Sequence, residues 1–248
     1  MAEAEASLEV PGTDTWLTVR RHGHWGRPVL VFPSEAGRAV DFENNGMLEA
    51  VRWLVDEGRA SLFCVDSADQ WTWSDNSIPT EERATRQKLY YTWLTDRVVP
   101  WIADQCGGPQ ELVTTGVSLG AYHAVHFALQ RADLAPVAIG LSGNYDVSTF
   151  RGWGELGDET YFANPAAYVR NLHGDHLDWL RSRLSVVLVV GQGPFEWEPT
   201  QSYPQTLAFA DALRDKGIRH ELDVWGHDSA HDWPWWRKQL AHHLQRFV

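Results

Sequence analysis

The stretch Gly116-Val117-Ser118-Leu119-Gly120 decides the fold of this chain of 248 residues. A short apolar run at residues 111–115 precedes it, and an apolar run with helical spacing at residues 121–129 follows it. A G-x-S-x-G pattern between a strand and a helix is typical of a nucleophile elbow. Glycine is needed on both sides because larger side chains would collide across the sharp turn. The turn raises the Ser118 hydroxyl at the positive end of a helix, where the backbone N–H of Leu119 faces an oxyanion.

Strand-like and helix-like patterns alternate along the chain and predict an α/β fold with a doubly wound, mostly parallel sheet. Strands are predicted at residues 8–22 (two edge strands), 28–32, 60–65, 111–115, 136–141, 186–190 and 219–224. Helices are predicted at residues 47–56, 81–103 with a break at Val99-Pro100, 121–131, 202–216 and 233–247. We predict a single domain over residues 1–248, in which residues 147–184, irregular with short helical pieces, form a small cap-like insertion.

Composition excludes several classes of partner. The net charge of −12 argues against nucleic acid and anionic membranes as partners. No apolar run reaches about 18 residues, so no membrane span is expected, and the acidic first seven residues lack the apolar region of a secretory signal. The two cysteines, Cys64 and Cys106, form no metal-ligand pattern. Together with a free thiol predicted to be buried at Cys64, this favours a reducing, cytoplasmic compartment and no metal.

Polar and aromatic residues follow the predicted strands at the edge where the site of such a sheet forms. These positions are Ser34 and Glu35, Trp71 and Trp73, Ser118, Asn144 and Tyr145, Glu196, and His227 or His231. The reactive residues follow the order serine, acid, histidine, which is the order of an α/β hydrolase. The fold class predicted is therefore the α/β-hydrolase fold.

The partners of Ser118 are predicted from the loops that follow the last two strands. The loop after residues 219–224 contains two histidines, His227 and His231, and either could be the catalytic base. The loop after residues 186–190 contains no aspartate, so the acid that orients the imidazole is Glu196, with Glu198 as the alternative. The second oxyanion N–H is expected after residues 28–32, from Glu35 or, less favoured, Ser34.

The chain resembles the putative esterase family, which contains esterase D, feruloyl esterases and mycolyltransferases. The resemblance covers roughly residues 25–248, and its most specific parts are residues 116–124 and 231–237. The family's catalytic histidine stands two residues before a tryptophan, which implies His231, followed by Trp233, rather than His227. The family's histidine–glycine or aspartate–glycine pair before the oxyanion donor is replaced by Pro33-Ser34, which implies that Glu35 inherits the role.

The same resemblance identifies Glu196 where the family has an aspartate. His123, in the helix after the elbow, also matches a family position, and we interpret it as a packed structural histidine. It does not serve as the base in this interpretation.

The sequence therefore predicts a serine carboxylic-ester hydrolase that acts through an acyl-enzyme and needs no cofactor. Its partner is a small-molecule ester, small or aromatic, with Trp71, Trp73, Tyr145 and Trp197 as candidates to line an apolar pocket. Two alternatives stay open. The same site could transfer the acyl group to an alcohol or amine, or the fold could be a catalytically silent binding or scaffold protein. The oligomeric state is not predicted.

Overall fold

The computed structural model describes residues 2–150, 154 and 156–248. Within these residues, eight strands form one sheet with the order β1-β2-β4-β3-β5-β6-β7-β8. The strands are β1 (Ala4–Glu9), β2 (Trp16–His22), β3 (Arg27–Phe32), β4 (Ala60–Val65), β5 (Val113–Val117), β6 (Val137–Leu141), β7 (Ser185–Val190) and β8 (Arg219–Val224). The pairs β1–β2 and β2–β4 are antiparallel and the other five are parallel. The predicted mostly parallel α/β sheet is confirmed.

The same residues contain eleven α-helices, which fill most of the connections between strands. They are α1 (Asp41–Asn44), α2 (Met47–Ala50), α3 (Arg52–Asp56), α4 (Thr80–Trp93), α5 (Val99–Gln105), α6 (Leu119–Gln130), α7 (Asp158–Phe162), α8 (Pro165–Asn171), α9 (Gly174–Arg183), α10 (Ser202–Asp215) and α11 (Trp233–Leu244). The helix predicted over residues 47–56 is two short helices, α2 and α3, separated at Val51. Met47, Val51 and Leu54 are all fully buried in one core cluster, and the turn between the helices allows this.

The predicted break at Val99-Pro100 is wrong. Helix α4 continues into a π-helix, Leu94–Val98, and then directly into α5, where Pro100 is the second residue. A proline is tolerated in the first turn of a helix because its missing N–H needs no partner there. The wider π turn just before it lets the chain stay helical through the proline ring.

Apolar side chains of alternate strand positions pack on both faces of the sheet. One core cluster joins Leu30, Phe63 and Leu188 to residues of α4, α6 and α10. The other joins Val31, Ile139 and other strand residues to α2, α3 and α11. Since parallel strands buried on both faces need helices on both sides, the sheet is held rigid between two layers of helices. The loops that follow the carboxyl ends of its strands are then free to form a site.

The predicted cap segment, residues 147–184, lies partly outside the described residues, at 151–153 and 155. Its described part contains a 3₁₀ turn, Val147–Thr149, and the helices α7, α8 and α9. Helix α7 packs beside α4, and α8 packs beside α10. Val169 of α8 and Leu180 of α9 are fully buried in the core of the sheet. A cap function for this segment stays a prediction.

Candidate active site

Ser118 occupies a sharp turn between β5 and α6. Its backbone is in the left-handed region, with φ 56° and ψ −123°, which is uncommon for a residue other than glycine and is typical of strained functional sites. A Cβ added to Gly116 would lie 2.2 Å from the carbonyl oxygen of Gly120. One added to Gly120 would lie 2.1 Å from the carbonyl oxygen of Pro33. The two glycines thus let the turn close and let the loop after β3 approach the start of α6.

His231 and Glu196 extend a line of hydrogen bonds from this serine. The Nε2 atom of His231 lies 2.9 Å from Ser118 Oγ, and its Nδ1 atom lies 3.2 Å from Glu196 Oε2. An ionised carboxylate only accepts hydrogen bonds, so Nδ1 carries the proton and Nε2 is left as the acceptor for the serine hydroxyl. This is the tautomer that a general base beside a serine nucleophile requires.

The structure separates the alternatives that the sequence left open. His227 is exposed, whereas His231 lies beside Ser118. Glu198 is exposed and its carboxylate accepts a hydrogen bond from the side chain of Gln201. Glu196, in contrast, is completely buried. The geometry therefore brings together His231 and Glu196.

Backbone contacts hold the acid loop against the histidine loop. The N–H of Gly193 donates to the carbonyl of Ser229 at 2.8 Å, and the N–H of His231 donates to the carbonyl of Pro194 at 3.0 Å. Added Cβ atoms at Gly191 and Gly193 would lie 2.0 and 2.6 Å from the same Ser229 oxygen. Only glycine permits so close an approach of the two backbones. The spacing between Glu196 and His231 is therefore set by main-chain contacts.

Two backbone N–H groups are placed as candidate oxyanion donors. Glu35 and Leu119 line the same cavity as Ser118, while Ser34 does not contribute to its wall. Among the contacts of the described residues, the N–H groups of Glu35 and Leu119 donate to no protein acceptor. The neighbouring N–H of Ala36 is held by the Asp69 carboxylate at 3.0 Å. The loop after β3 is thus tied to Asp69 directly after Glu35, whose own N–H remains available as a donor.

The cavity at Ser118 has a volume of about 420 Å³, which is in the range of sites for small molecules. Trp73 and Phe150 contribute aromatic rings that meet edge to face with centroids 5.6 Å apart. Amide and hydroxyl side chains form much of the remaining wall, from Ser74, Asn76, Asn144, Thr149, Thr200, Gln201 and Gln205. No lysine or arginine is found among its described lining residues, while Glu35 adds a carboxylate.

The predicted aromatic lining differs from the observed one. Trp73 lines the cavity, but Trp71 lines a separate depression near Leu17 and Arg38. Tyr145 is completely buried and stacks on Phe209 of α10 with ring centroids 4.6 Å apart, so no substrate can reach it.

Trp197 is half exposed and packs on Tyr203, outside the cavity wall. Of the four predicted rings, Trp73 is therefore the one that lines the cavity, with 3% of its surface exposed. The second ring there, Phe150, was not predicted, because residues 147–184 lack a pattern that would place it.

Sequence reasoning also missed Ser142, a partner of Glu196, and Trp236, which in turn contacts Ser142. The Ser142 hydroxyl lies 2.6 Å from Glu196 Oε1, and the Trp236 indole N–H donates to Ser142 Oγ at 3.0 Å. Ser142 follows directly after β6, where polar residues gather at the site, and that position was the only signal in the sequence.

One group of side chains in the described part of the chain has metal-ligand types in proximity. Asp223, His242 and His243 place ligand atoms within 4.8 Å of one another. Asp223 Oδ2 already accepts hydrogen bonds from the indole of Trp225 and from His243 Nε2, both at 2.8 Å. None of the three lines the cavity at Ser118, so the group takes no part in the candidate active site.

The sequence matches the family described as Putative esterase over residues 37–247, and the chain belongs to that family. The predicted family is confirmed, and the protein is an enzyme of the ester-hydrolysing class. No curated protein matches the chain in sequence. In the structure, no helix formed by the described residues has both the length and the apolar character needed to cross a membrane.

Solved structures share the fold over nearly the whole chain. A ferulic acid esterase superposes with a TM-score of 0.73 at 14% identity, covering 97% of this chain and 95% of its own. MPT51 (FbpC1) of Mycobacterium tuberculosis superposes with a TM-score of 0.73 at 16% identity, covering 99% of this chain and 98% of its own. FphF, a fluorophosphonate-binding serine hydrolase of Staphylococcus aureus, superposes with a TM-score of 0.69 at 12% identity. The match covers 98% of this chain and 96% of FphF. The predicted α/β-hydrolase fold is confirmed.

Proposed function

We propose that the protein hydrolyses small carboxylic esters through a serine acyl-enzyme. Ser118 is the nucleophile, His231 the general base and Glu196 the acid that orients the imidazole. The single observation that carries this proposal is the continuous line of hydrogen bonds from Ser118 Oγ through His231 to a completely buried carboxylate. A buried carboxylate stabilises the imidazolium that forms when the histidine takes the serine proton.

The proposed reaction has two halves. Ser118 Oγ attacks the ester carbonyl while its proton passes to His231 Nε2, and the N–H groups of Leu119 and Glu35 stabilise the oxyanion. The tetrahedral intermediate collapses, His231 protonates the leaving alcohol, and the acyl group stays on Ser118. A water molecule, deprotonated by His231, then attacks the acyl-enzyme. The second tetrahedral intermediate collapses, His231 returns the proton to Ser118 Oγ, and the acid is released.

The cavity supports a neutral ester of modest size as substrate. Its volume of about 420 Å³ holds a small acyl or aromatic group beside the rings of Trp73 and Phe150. The Glu35 carboxylate, without a described basic residue in the wall, disfavours a substrate with a carboxylate or phosphate near the reacting carbonyl. We therefore propose uncharged aliphatic or aromatic esters as the substrate class.

Labelling with a fluorophosphonate probe tests the nucleophile directly. We expect the wild-type protein to react and Ser118→Ala to remain unlabelled. Hydrolysis of a series of p-nitrophenyl esters of increasing chain length then defines the acyl group, with short chains preferred. A wild-type protein that is labelled no more than Ser118→Ala contradicts the proposal and favours a silent binding protein.

Acyl transfer is the second reaction that the same site supports, because the cavity wall contains many amide and hydroxyl groups that can bind an alcohol. Adding glycerol to the p-nitrophenyl ester assay separates the two reactions. Free acid as the main product at all glycerol concentrations supports hydrolysis. A glyceryl ester as the main product identifies a transferase.

A further inference from the structure

Ser142 combines complete burial with a backbone conformation that favours glycine. It is the first residue after β6, has φ 53° and is fully buried. Residues other than glycine adopt this region rarely, and such strain persists mainly where the surrounding structure holds it for a function. Glycine would fit this backbone better, so the serine hydroxyl is the feature to explain.

The chemistry of its neighbours fixes the direction of the hydrogen bonds at Ser142. The indole N–H of Trp236 is a donor only, so Ser142 Oγ accepts from it at 3.0 Å. The single hydroxyl hydrogen of Ser142 is then free for Glu196 Oε1, which lies 2.6 Å away. A hydroxyl donating to a carboxylate at this distance forms a strong, charge-assisted hydrogen bond.

The two oxygens of Glu196 are thereby divided between two tasks. Oε1 accepts from Ser142 and also from the N–H of Gly191 at 3.3 Å, while Oε2 faces His231 Nδ1 at 3.2 Å. Trp236 also packs edge-on against the imidazole of His231, with ring centroids 4.9 Å apart at 83°. One tryptophan therefore contacts both the base and the serine that holds the acid.

A glutamate has one more side-chain torsion than an aspartate, so its carboxylate has more orientations to lose when it orders. We infer that Ser142 is a positioning residue for the reaction: its hydroxyl fixes the Glu196 carboxylate so that Oε2 is presented to His231. The inference rests on the proposed function, because it assigns to Ser142 a task within the proposed Ser118–His231–Glu196 triad. Trp236 supports that task by holding the Ser142 hydroxyl in its donating orientation.

Ser142→Gly tests the inference, because glycine accepts the backbone and removes the hydroxyl. We expect the variant to fold, because relief of the backbone strain offsets part of the loss of the two hydrogen bonds, while kcat/KM for p-nitrophenyl acetate falls about ten- to hundredfold through kcat. A carboxylate that is no longer held stabilises the imidazolium less. The acid limb of the pH profile of kcat/KM should therefore move to lower pH. An acid limb that stays in place or moves to higher pH overturns the inference.

Two further variants complete the test. Trp236→Phe keeps a ring against His231 but removes the N–H, and we expect a smaller shift in the same direction. Thr115→Val removes another buried hydroxyl, which donates to the carbonyl of Ile139 in the neighbouring strand. It should lower stability and leave the pH profile of the wild type unchanged. If Ser142→Gly does not fold, the pH profile of Trp236→Phe tests the inference instead. An acid limb of kcat/KM that does not shift in this variant overturns the inference.

Fluorophosphonate labelling distinguishes failure of the inference from failure of the proposed function. Labelling of wild type but not of Ser118→Ala, with a wild-type pH profile in Ser142→Gly, removes only the role of Ser142. Absence of labelling in the wild type contradicts the proposed triad, and the inference about Ser142 fails with it.

Discussion

The carboxylate of Asp69 accepts a hydrogen bond from the imidazole of His123 at 2.9 Å, and both side chains are completely buried. His123 lies in α6, the helix that begins directly after Ser118. The other oxygen of Asp69 accepts the N–H of Ala36, the residue after Glu35. This pair therefore connects the helix of the nucleophile to the loop that supplies the second proposed oxyanion donor.

Asp69→Asn should weaken catalysis through that loop. The amide replaces one acceptor oxygen with a donor, so it cannot accept from both His123 and Ala36. Removing one oxyanion donor in other enzymes lowers kcat about 10²- to 10³-fold, and a displaced donor should cost about ten- to hundredfold. Steady-state kinetics should show this fall in kcat with a nearly unchanged KM.

Asp66→Asn is the matched control for Asp69→Asn. The Asp66 carboxylate also accepts two backbone N–H groups, from Thr18 and Ala39, both at 2.8 Å. Asp66→Asn should lower the free energy of unfolding by about as much as Asp69→Asn does, without the fall in kcat. Equal kcat in the two variants would contradict the role of Asp69.

The two histidines of the loop after β8 should respond differently to substitution. His231→Ala removes the proposed base and should lower kcat at least about 10³-fold, because proton transfer from Ser118 is lost. His227→Ala removes an exposed side chain and should leave a folded protein with nearly normal activity. Loss of activity in His227→Ala with activity retained in His231→Ala would reverse the assignment.

The two glutamates of the acid loop form a second matched pair. Glu196→Gln preserves shape but removes the charge that stabilises the imidazolium, so kcat should fall about 10³- to 10⁴-fold. Glu198→Gln changes an exposed carboxylate whose contact is the side chain of Gln201, and kcat should stay within about twofold of wild type. Circular dichroism should show both variants folded. Similar losses of kcat in both variants would contradict the assignment of Glu196 as the acid of the triad.

Acid should destabilise the protein through buried histidines. Burial, reinforced by His123, lowers the pKa of His126 from 6.5 to about 3. Between these values the unfolded chain binds the extra proton, so the free energy of unfolding falls as pH drops from about 6.5 toward 3. The slope for one such group is at most about 1.4 kcal/mol per pH unit. Burial also lowers the pKa of His22 and His243, which act in the same direction.

Urea denaturation between pH 7.5 and 4.5 measures this slope. His126→Phe removes the titrating group and should give a shallower dependence than the wild type, whatever its absolute stability. His227→Ala, which removes an exposed histidine, is the matched control. An unchanged slope in His126→Phe would show that the acid sensitivity arises elsewhere.

Local patterns predicted the parts of the site whose geometry the backbone imposes. The elbow follows from Gly116 and Gly120, since only glycine permits the contacts that they make. Glu196 follows from its place after β7. Ser142 could not be found in this way, because its role depends on Trp236, which reaches it from the last helix.

For Tyr145, the local pattern predicted a role in the site that the structure does not show. Its position after β6 predicts a place in the cavity wall, but the ring turns inward because Phe209 of α10 offers a stacking partner. Pro100 predicts a break in the helix, yet the chain remains helical because a π turn lies just before it. In both cases a contact or a turn outside the local pattern decides the outcome.

The close approach of Gly191 and Gly193 to Ser229 has a consequence for protein engineering. The acid and histidine loops meet backbone to backbone, so we expect an acid loop exchanged alone for a segment without these glycines to collide with the histidine loop. A chimaera would have to carry both segments, together with the serine at position 142 that suits a glutamate. Grafting an aspartate-bearing loop by itself should therefore give a misaligned dyad, even though each transplanted residue is suitable on its own.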